Sequence, residues 1–258
     1  MKRLTKVLIA SGCVAAIAGG VFVWADLAEV GWYLKHAPFF RRFFRPTVAG
    51  AVAAYGRGAR ARMAPKFEAV HASYPPAKLV LVAIKGTKEL QVYSATKASP
   101  YQYVCTYPIL GASGHLGPKL REGDYQVPEG IYQLTLEPDT PYHVALRLNY
   151  PNEIDWARAR ADGRSNPGSD ILVHGTTGSV GCLAMGDEAS EDLFVLANDT
   201  AEHPVSLIIV PVDLRSQMAL PAQSEDPVWL PQLYKELTAA LIPLPAPGAI
   251  PTKNLPVP

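Results

Sequence analysis

The stretch from Ile171 to Asp187 limits the possible folds of this chain more than any other. Its sequence is ILVHGTTGSVGCLAMGD, in which an apolar run ends in His174 and a glycine-rich turn leads to Cys182. The apolar run predicts a buried strand that holds the histidine ring rigidly. Glycines permit tight turns and positive φ angles, so the chain can fold back and bring the cysteine towards that ring.

This pattern suits a thiol nucleophile with its base. A free thiol has a pKa of roughly 8.5, so a catalytic cysteine needs an imidazole or another positive field beside it. We predict Cys182 as the nucleophile, His174 as the general base, and the N–H groups of Gly181 and Cys182 as oxyanion donors. Ser179 is predicted to orient the imidazole or to line the oxyanion site. Structural roles in the core are the alternative, and one Cys with one His supplies too few ligands for zinc.

The same stretch resembles the signature of the L,D-transpeptidase catalytic-domain (YkuD) family, an apolar strand ending in His-Gly and a loop ending in Ser-x-Gly-Cys. His174-Gly175 and Ser179-Val180-Gly181-Cys182 stand at those positions. The segment 123–132 is similar to the family pattern G-x-x-P-x-G-x-Y. Residues 142–155 resemble the branch called murein L,D-transpeptidase or L,D-endopeptidase-like. The resemblance covers about residues 78–215.

Two departures from the family pattern bear on the reaction. Many members carry a second histidine where this chain has Val180, and the loop between His174 and Cys182 is shorter than in many relatives. Both features fit the branch just named, whose members include enzymes that hydrolyse the bond. Transfer and hydrolysis therefore both stay open.

The resemblance implies acyl transfer through a thioester, with no metal and no organic cofactor, in cell wall biogenesis and cell shape. The donor would be the L,D bond between meso-diaminopimelate and D-alanine in a peptidoglycan stem peptide. The acceptor would be an amine on another stem, a lysine of a murein-linked lipoprotein, or water. The alternatives are an L,D-endopeptidase, carboxypeptidase or amidase acting at the same residue, and a membrane-tethered peptidoglycan-binding protein without turnover.

Candidate substrate-binding residues lie on both sides of the cysteine motif. Gly175 and Tyr142 belong to the resembling segments, and we predict that they line the substrate site. The polar stretch 152–170 is predicted to be a long loop, and such loops often bind ligands. Its Arg158 and Arg164 are candidates for a substrate carboxylate, because arginine binds carboxylates in a bidentate manner. Solvated surface positions are the alternative for both arginines.

Residues 77–214 predict a mainly β catalytic domain, a β-sandwich or barrel-like sheet with short helices. Short apolar strands alternate with Gly, Pro and Asn turns, and residues 188–198 have helical spacing. A C-terminal extension, 215–258, contains a weak helix to Ile242 and ends in a Pro-rich tail that we predict to be disordered.

The N-terminus predicts export from the cytoplasm. Basic residues at positions 2, 3 and 6 precede an uncharged, mostly apolar run that ends at residue 25. Such a segment is typical of a signal anchor, which we favour, or of a cleaved signal peptide. Flanking charges do not decide its orientation, so the family resemblance places the domain at the periplasmic face of the bacterial inner membrane.

A basic, aromatic stem over residues 26–76 is predicted to be helical. It suits either a helix on the membrane surface or a helical hairpin that packs on the catalytic domain and is broken near Pro46 and Pro65. The net charge of +1 and the predicted export argue against nucleic-acid binding. Of the exported cysteines, Cys105 is predicted to be buried in a strand, and Cys182 to remain a free thiol.

Overall fold

The computed structural model describes residues 45–216 and 226–248. The predicted anchor, the first part of the stem and the end of the Pro-rich tail, from residue 249, lie outside these ranges. The start of the tail is packed rather than disordered as predicted, since Leu244 is 2% exposed and Arg215 donates to the carbonyls of Leu244 and Pro245. From Thr47 onward the described elements belong to one unit. Within the described ranges, no helix combines the length and the apolar character needed to cross a membrane.

Eight strands form one mixed sheet in the order β3-β2-β1-β8-β4-β5-β6-β7. They are β1 (Lys78–Ile84), β2 (Glu89–Ala95), β3 (Gln102–Pro108), β4 (Gly130–Thr140), β5 (His143–Leu148), β6 (Leu172–His174), β7 (Leu183–Ala184) and β8 (Val205–Val210). The pairs β1–β8 and β6–β7 are parallel, and a bridge between Gly111 and Ala184 joins the chain after β3 to β7. The predicted mainly β domain is therefore a single sheet with its ends linked, rather than two stacked sheets.

Four helices occur in the described ranges: α1 (Val48–Ala69), α2 (Glu153–Ala161), α3 (Asp187–Asp199) and α4 (Leu230–Leu241). Helices α3 and α4 confirm the helices predicted from spacing. Helix α1 runs through Pro65, where a break was expected, and buried Met63 and Phe67 on either side of the proline hold it against the domain.

Helix α2 corrects the prediction of an irregular loop over residues 152–170. Asn152 accepts the N–H of Asp155, and the Asp155 carboxylate accepts the N–H of Asn152, which forms a capping box. The helix has one buried residue, Ala159, so it lacks the apolar period that marks a helix in a sequence.

Two apolar clusters flank the sheet. The larger one includes Leu81, Leu146 and Phe194 and lies between one sheet face and helices α1 and α3. The second packs the other face of β1, β2 and β8 against α4, with Val82 and Leu237 among its members. Strand β1 is thus covered on both sides, which accounts for its unbroken apolar run.

Helix α1 packs on the β-sheet domain. Its Ala59, Met63 and Phe67 are fully buried. Its Arg60 and Arg62 form ion pairs with Asp199 and Asp192 of α3, each with an N–O distance of 2.7 Å. Of the two interpretations of the basic stem, the described part fits packing on the catalytic domain.

A buried ion pair fixes the loop between β3 and β4. Lys85 Nζ lies 3.1 Å from Glu129 Oε1, and the two side chains are 5% and 0% exposed. Lys85 donates to the carbonyls of Gly117 and Val127, while Glu129 accepts from the Gly117 N–H and the Tyr234 hydroxyl. Burial lowers the pKa of Lys85, and the Glu129 carboxylate opposes that shift. The pair therefore ties this loop and α4 to the start of β4.

Candidate active site

The candidate site lies on the outer face of β5, β6 and β7. Ala145 stands opposite His174, and His174 stands beside Ala184. Side chains alternate between the two faces of a strand. Their neighbours along the chain belong to the larger core cluster: Leu146 follows Ala145, Val173 precedes His174 and Leu183 precedes Ala184. His174 therefore points away from that core.

Burial and the Gly175 carbonyl fix the charge and the tautomer of the His174 ring. The residue is 2% exposed, and its Nδ1 lies within hydrogen-bond distance of the Gly175 carbonyl oxygen. A carbonyl can only accept, so Nδ1 carries the proton and Nε2 keeps its lone pair. Burial lowers the pKa of His174, and the bond to Gly175 opposes that shift. At neutral pH the ring is therefore uncharged, with Nε2 as its basic nitrogen.

The His-Gly pair is packed tightly against the turn between β4 and β5. A Cβ on Gly175 would lie 2.6 Å from Asp187 Oδ1, 2.7 Å from His143 Cβ and 2.9 Å from the Tyr142 carbonyl oxygen. The Tyr142 ring lies 4.8 Å from the His174 ring, and Tyr142 is 45% exposed. The structure thus brings two of the four predicted substrate-binding residues, Gly175 and Tyr142, beside His174, with the Tyr142 ring exposed.

Asp187, at the start of α3, holds the chain that follows His174. Its Oδ1 accepts the Thr176 N–H at 2.8 Å. The His174 carbonyl accepts from Met185 N–H, and the Thr176 carbonyl from Gly186 N–H, each at 2.8 Å. Sequence reasoning missed Asp187, because an acidic residue at a helix start is ordinarily explained by the helix dipole.

The thiol of Cys182 lies just before β7 and is partly buried. Its Sγ accepts from the Leu172 N–H at 3.4 Å and faces the Asp170 carbonyl at 3.8 Å. Among the described residues, these groups are its hydrogen-bond partners, rather than the ring of His174. Burial raises the pKa of Cys182, while the Leu172 N–H, Arg147 and Lys119 lower it. The resting pair is thus a neutral thiol and a neutral imidazole, although the sequence suggested a thiol of lowered pKa.

Hydrogen bonds close the turn before Cys182. Ser179 Oγ donates to the Cys182 carbonyl at 2.6 Å, so its hydroxyl shapes the turn rather than contacting the imidazole. Gly181 has a φ of 101°, which favours glycine, and its N–H donates to Ser113 Oγ at 2.6 Å. The Gly181 N–H is therefore engaged in this state by a residue that the sequence did not indicate. The Cys182 N–H stays a predicted oxyanion donor.

The two predicted arginines make other contacts. Arg158 pairs with Glu236 at 2.9 Å, and its guanidinium lies 4.9 Å from the Trp229 ring centroid. Arg164 pairs with Asp162 at 2.6 Å and also donates to the Leu120 carbonyl. These contacts join α2 and the segment after it to α4 and to the loop before β4. A role of either arginine in substrate binding stays a prediction.

Both described cysteines, Cys105 and Cys182, are free thiols. Cys105 lies on β3 and is partly buried, and burial raises its pKa to about 11. In this structure the two thiols are not joined by a disulfide, and Cys105 lies in a strand as predicted but is only partly buried. Within the described ranges, no cluster of three or more His, Cys, Asp or Glu residues is arranged for a metal ion.

The fold places His174 at the end of β6 and Cys182 just before the neighbouring strand β7, which defines a candidate site for cysteine-dependent acyl transfer. No protein-family model matches the chain. Two curated relatives from Escherichia coli, strains K12 and O157:H7, bear the name "Putative L,D-transpeptidase YafK" and are each 38% identical over 97 residues. The match spans 36% of this chain and 37% of each relative. This chain therefore shares a homologous segment with relatives named as putative L,D-transpeptidases, and the match spans little more than a third of their length.

Similar solved structures include the helical cell shape determining protein Pgp2 from Campylobacter jejuni. It is 21% identical, with a TM-score of 0.44 over 62% of this chain and 52% of Pgp2. L,D-transpeptidase 1 from Mycobacterium tuberculosis is 16% identical, with a TM-score of 0.29 over 52% of this chain and 62% of that protein. Both structural likenesses are too weak to assign a function.

Gly175→Ala should disrupt the site, because the new Cβ would collide with backbone and side-chain atoms of the β4–β5 turn and α3. We expect the free energy of unfolding, measured by urea denaturation, to fall by about 1–3 kcal/mol, which is typical of overpacking. Gly178→Ala is the matched control, since a Cβ there meets no atom within 4 Å. Equal stability of the two variants would contradict the packing described for Gly175.

Alkylation of Cys182 should increase with pH around a midpoint above about 8.5, the ordinary pKa of a thiol. Burial raises the pKa of Cys182, so the thiol is mainly protonated below that value and reacts only through a small thiolate fraction that grows with pH. Rates with iodoacetamide from pH 5 to 10, followed on the Cys182 peptide by mass spectrometry, measure the midpoint. A rate that is already maximal at pH 6 would instead demonstrate a preformed thiolate–imidazolium pair.

Proposed function

We propose that this protein is a cysteine-dependent peptidoglycan L,D-transpeptidase that acts on meso-diaminopimelate stem peptides. The observation that carries the proposal is the neutral His174, with Nε2 as its basic nitrogen, on the strand that pairs with β7, which begins directly after Cys182. The homology of the matched segment to a relative named as an L,D-transpeptidase supports the substrate class.

The first half of the reaction forms a thioester. Nε2 of His174 accepts the thiol proton as Cys182 Sγ attacks the carbonyl carbon of the diaminopimelate residue. The Cys182 N–H stabilises the oxyanion of the tetrahedral intermediate. When this intermediate collapses, the C–N bond breaks, and the imidazolium returns its proton to the amine of the departing D-alanine.

The second half transfers the acyl group to an amine of another stem. His174 accepts a proton from the attacking amine, a new C–N bond forms, and the C–S bond breaks. The proton then returns to Cys182 Sγ, which restores the resting thiol. A neutral thiol and a neutral imidazole suit these two steps, because each half of the reaction begins with His174 as an unprotonated base.

Location and partners follow from the substrate. Peptidoglycan lies outside the cytoplasmic membrane, so we place the catalytic domain at the periplasmic face of the inner membrane. Residues 1–25 would supply the anchor. Stem peptides are the proposed substrates, and a murein-linked lipoprotein is a further proposed acceptor.

Purified tetrapeptide muropeptides incubated with the full chain should yield cross-linked dimers and free D-alanine, detected by mass spectrometry. Cys182→Ala should abolish both products, because the nucleophile is removed. His174→Gln should lower the rate by about 10²–10⁴-fold, the range for a lost general base. Cys105→Ala, which removes the thiol on β3, is the control and should retain activity.

Three outcomes separate the candidate activities. Dimers formed equally by Cys182→Ala would contradict the proposal. Tripeptides without dimers would indicate hydrolysis at the same residue by the same thioester chemistry. Unchanged tetrapeptides with the native protein would favour a peptidoglycan-binding protein without turnover.

A further inference from the structure

Arg147 lies on β5, on the same sheet face as His174. Ala145 pairs with His174 and Arg147 pairs with Leu172, so Arg147 and His174 are diagonal neighbours across β5 and β6. Such neighbours lie about 7–8 Å apart. The side chain of Arg147 is 38% exposed. A cation that solvent can reach therefore lies next to the general base.

Each of the two residues that contact the Cys182 sulfur is also a neighbour of Arg147. The Leu172 N–H, 3.4 Å from Sγ, belongs to the residue opposite Arg147. The Asp170 carbonyl lies 3.8 Å from Sγ, and the Asp170 carboxylate forms an ion pair with Arg147. The charge of Arg147 also acts on the thiol, where it opposes the effect of burial on the pKa of Cys182. The guanidinium of Arg147 is therefore close enough to the sulfur to interact with it electrostatically.

Lys119 is a second cation that acts on the thiol, but its ammonium is already engaged. Its side chain is 5% exposed, and Nζ lies 2.6 Å from Asp124 Oδ1 and 2.9 Å from the Arg121 carbonyl. Of these two cations, Arg147 is therefore the one that solvent can reach.

The partner of Arg147 is easily replaced. The Asp170 side chain is 68% exposed, and the residue has a φ of 62° in a region that non-glycine residues seldom occupy. Exposed ion pairs contribute only about 0–1 kcal/mol, so another carboxylate can displace Asp170 at small cost. Glu137, 3.1 Å from Arg147 Nε, holds the guanidinium in place during such an exchange.

We infer that Arg147 is the carboxylate-binding residue of this site, and that Asp170 occupies it until substrate arrives. The inference rests on the proposed function and adds a determinant of specificity to it. A stem tetrapeptide carries two free carboxylates near the scissile bond, at the D-alanine end and on the diaminopimelate side chain. Either one can form a bidentate pair with the guanidinium.

The rate ratio of two alkylating reagents tests this subsite. Iodoacetate and iodoacetamide both react with the Cys182 thiolate and release iodide, but only iodoacetate carries a carboxylate. Their ratio is therefore independent of the pKa of the thiol. In Arg147→Gln the ratio of iodoacetate to iodoacetamide should fall about tenfold, as expected when a charge-assisted pair is lost. Asp170→Asn should raise the ratio, because Arg147 loses its competing partner.

Matched variants separate binding from net charge. Arg147→Gln combined with Asp170→Asn has the same net charge as the native pair, yet its ratio should stay about tenfold below the native ratio if Arg147 binds the carboxylate. Arg147→Lys keeps the charge without the bidentate geometry and should give an intermediate value. Arg57→Gln, at an exposed position on α1, should leave the ratio unchanged. The iodoacetamide rate of each variant reports whether the site is intact.

A native ratio in the charge-matched double variant would overturn the inference. Muropeptide turnover is read separately, so the two proposals fail in distinguishable ways. If the native protein forms dimers but the Arg147 variants keep the native iodoacetate-to-iodoacetamide ratio, Arg147 does not bind the carboxylate and the proposed function still stands. A reduced ratio without muropeptide products would support the carboxylate subsite and count against peptidoglycan as the substrate.

Discussion

The close approach of three segments at Gly175 is the constraint on which the site depends. The end of β6, the β4–β5 turn and the start of α3 meet where a Cβ would lie within 3 Å of atoms from two of them. Without that Cβ, Asp187 reaches the Thr176 N–H, and the Gly175 carbonyl fixes the tautomer of His174. A backbone carbonyl thus fixes the histidine tautomer here, a task that a carboxylate performs in Ser-His-Asp triads.

Burial then sets the charge state of the reacting groups. It lowers the pKa of His174 and raises that of Cys182, so both shifts favour the uncharged pair. A neutral pair suits general-base activation at the moment of attack, whereas a stored thiolate would need a stronger positive field. Arg147 supplies part of such a field, but its guanidinium is shared with Glu137 and Asp170.

Local patterns made much of this structure predictable. The apolar run before His174, the glycine-rich turn and the helical spacing after Asp187 each act within a few residues, and each gave the right element. Helix α2 was missed because its capping box, Asn152 with Asp155, lacks an apolar period behind it. Asp187, Ser113 and Arg147 were missed for another reason. Their contacts with the motif depend on strand order and register, which a single sequence does not specify.

The central claim is that Cys182 carries the acyl group during the reaction. Intact-protein mass spectrometry of the full chain, quenched in acid shortly after mixing with a tetrapeptide muropeptide, tests it directly. We expect a mass increase equal to the mass of the donor minus that of the free D-alanine released, located on the Cys182 peptide and removed by hydroxylamine. Product formation with Cys182 unmodified at every quench time, and with the adduct on another residue, would contradict it.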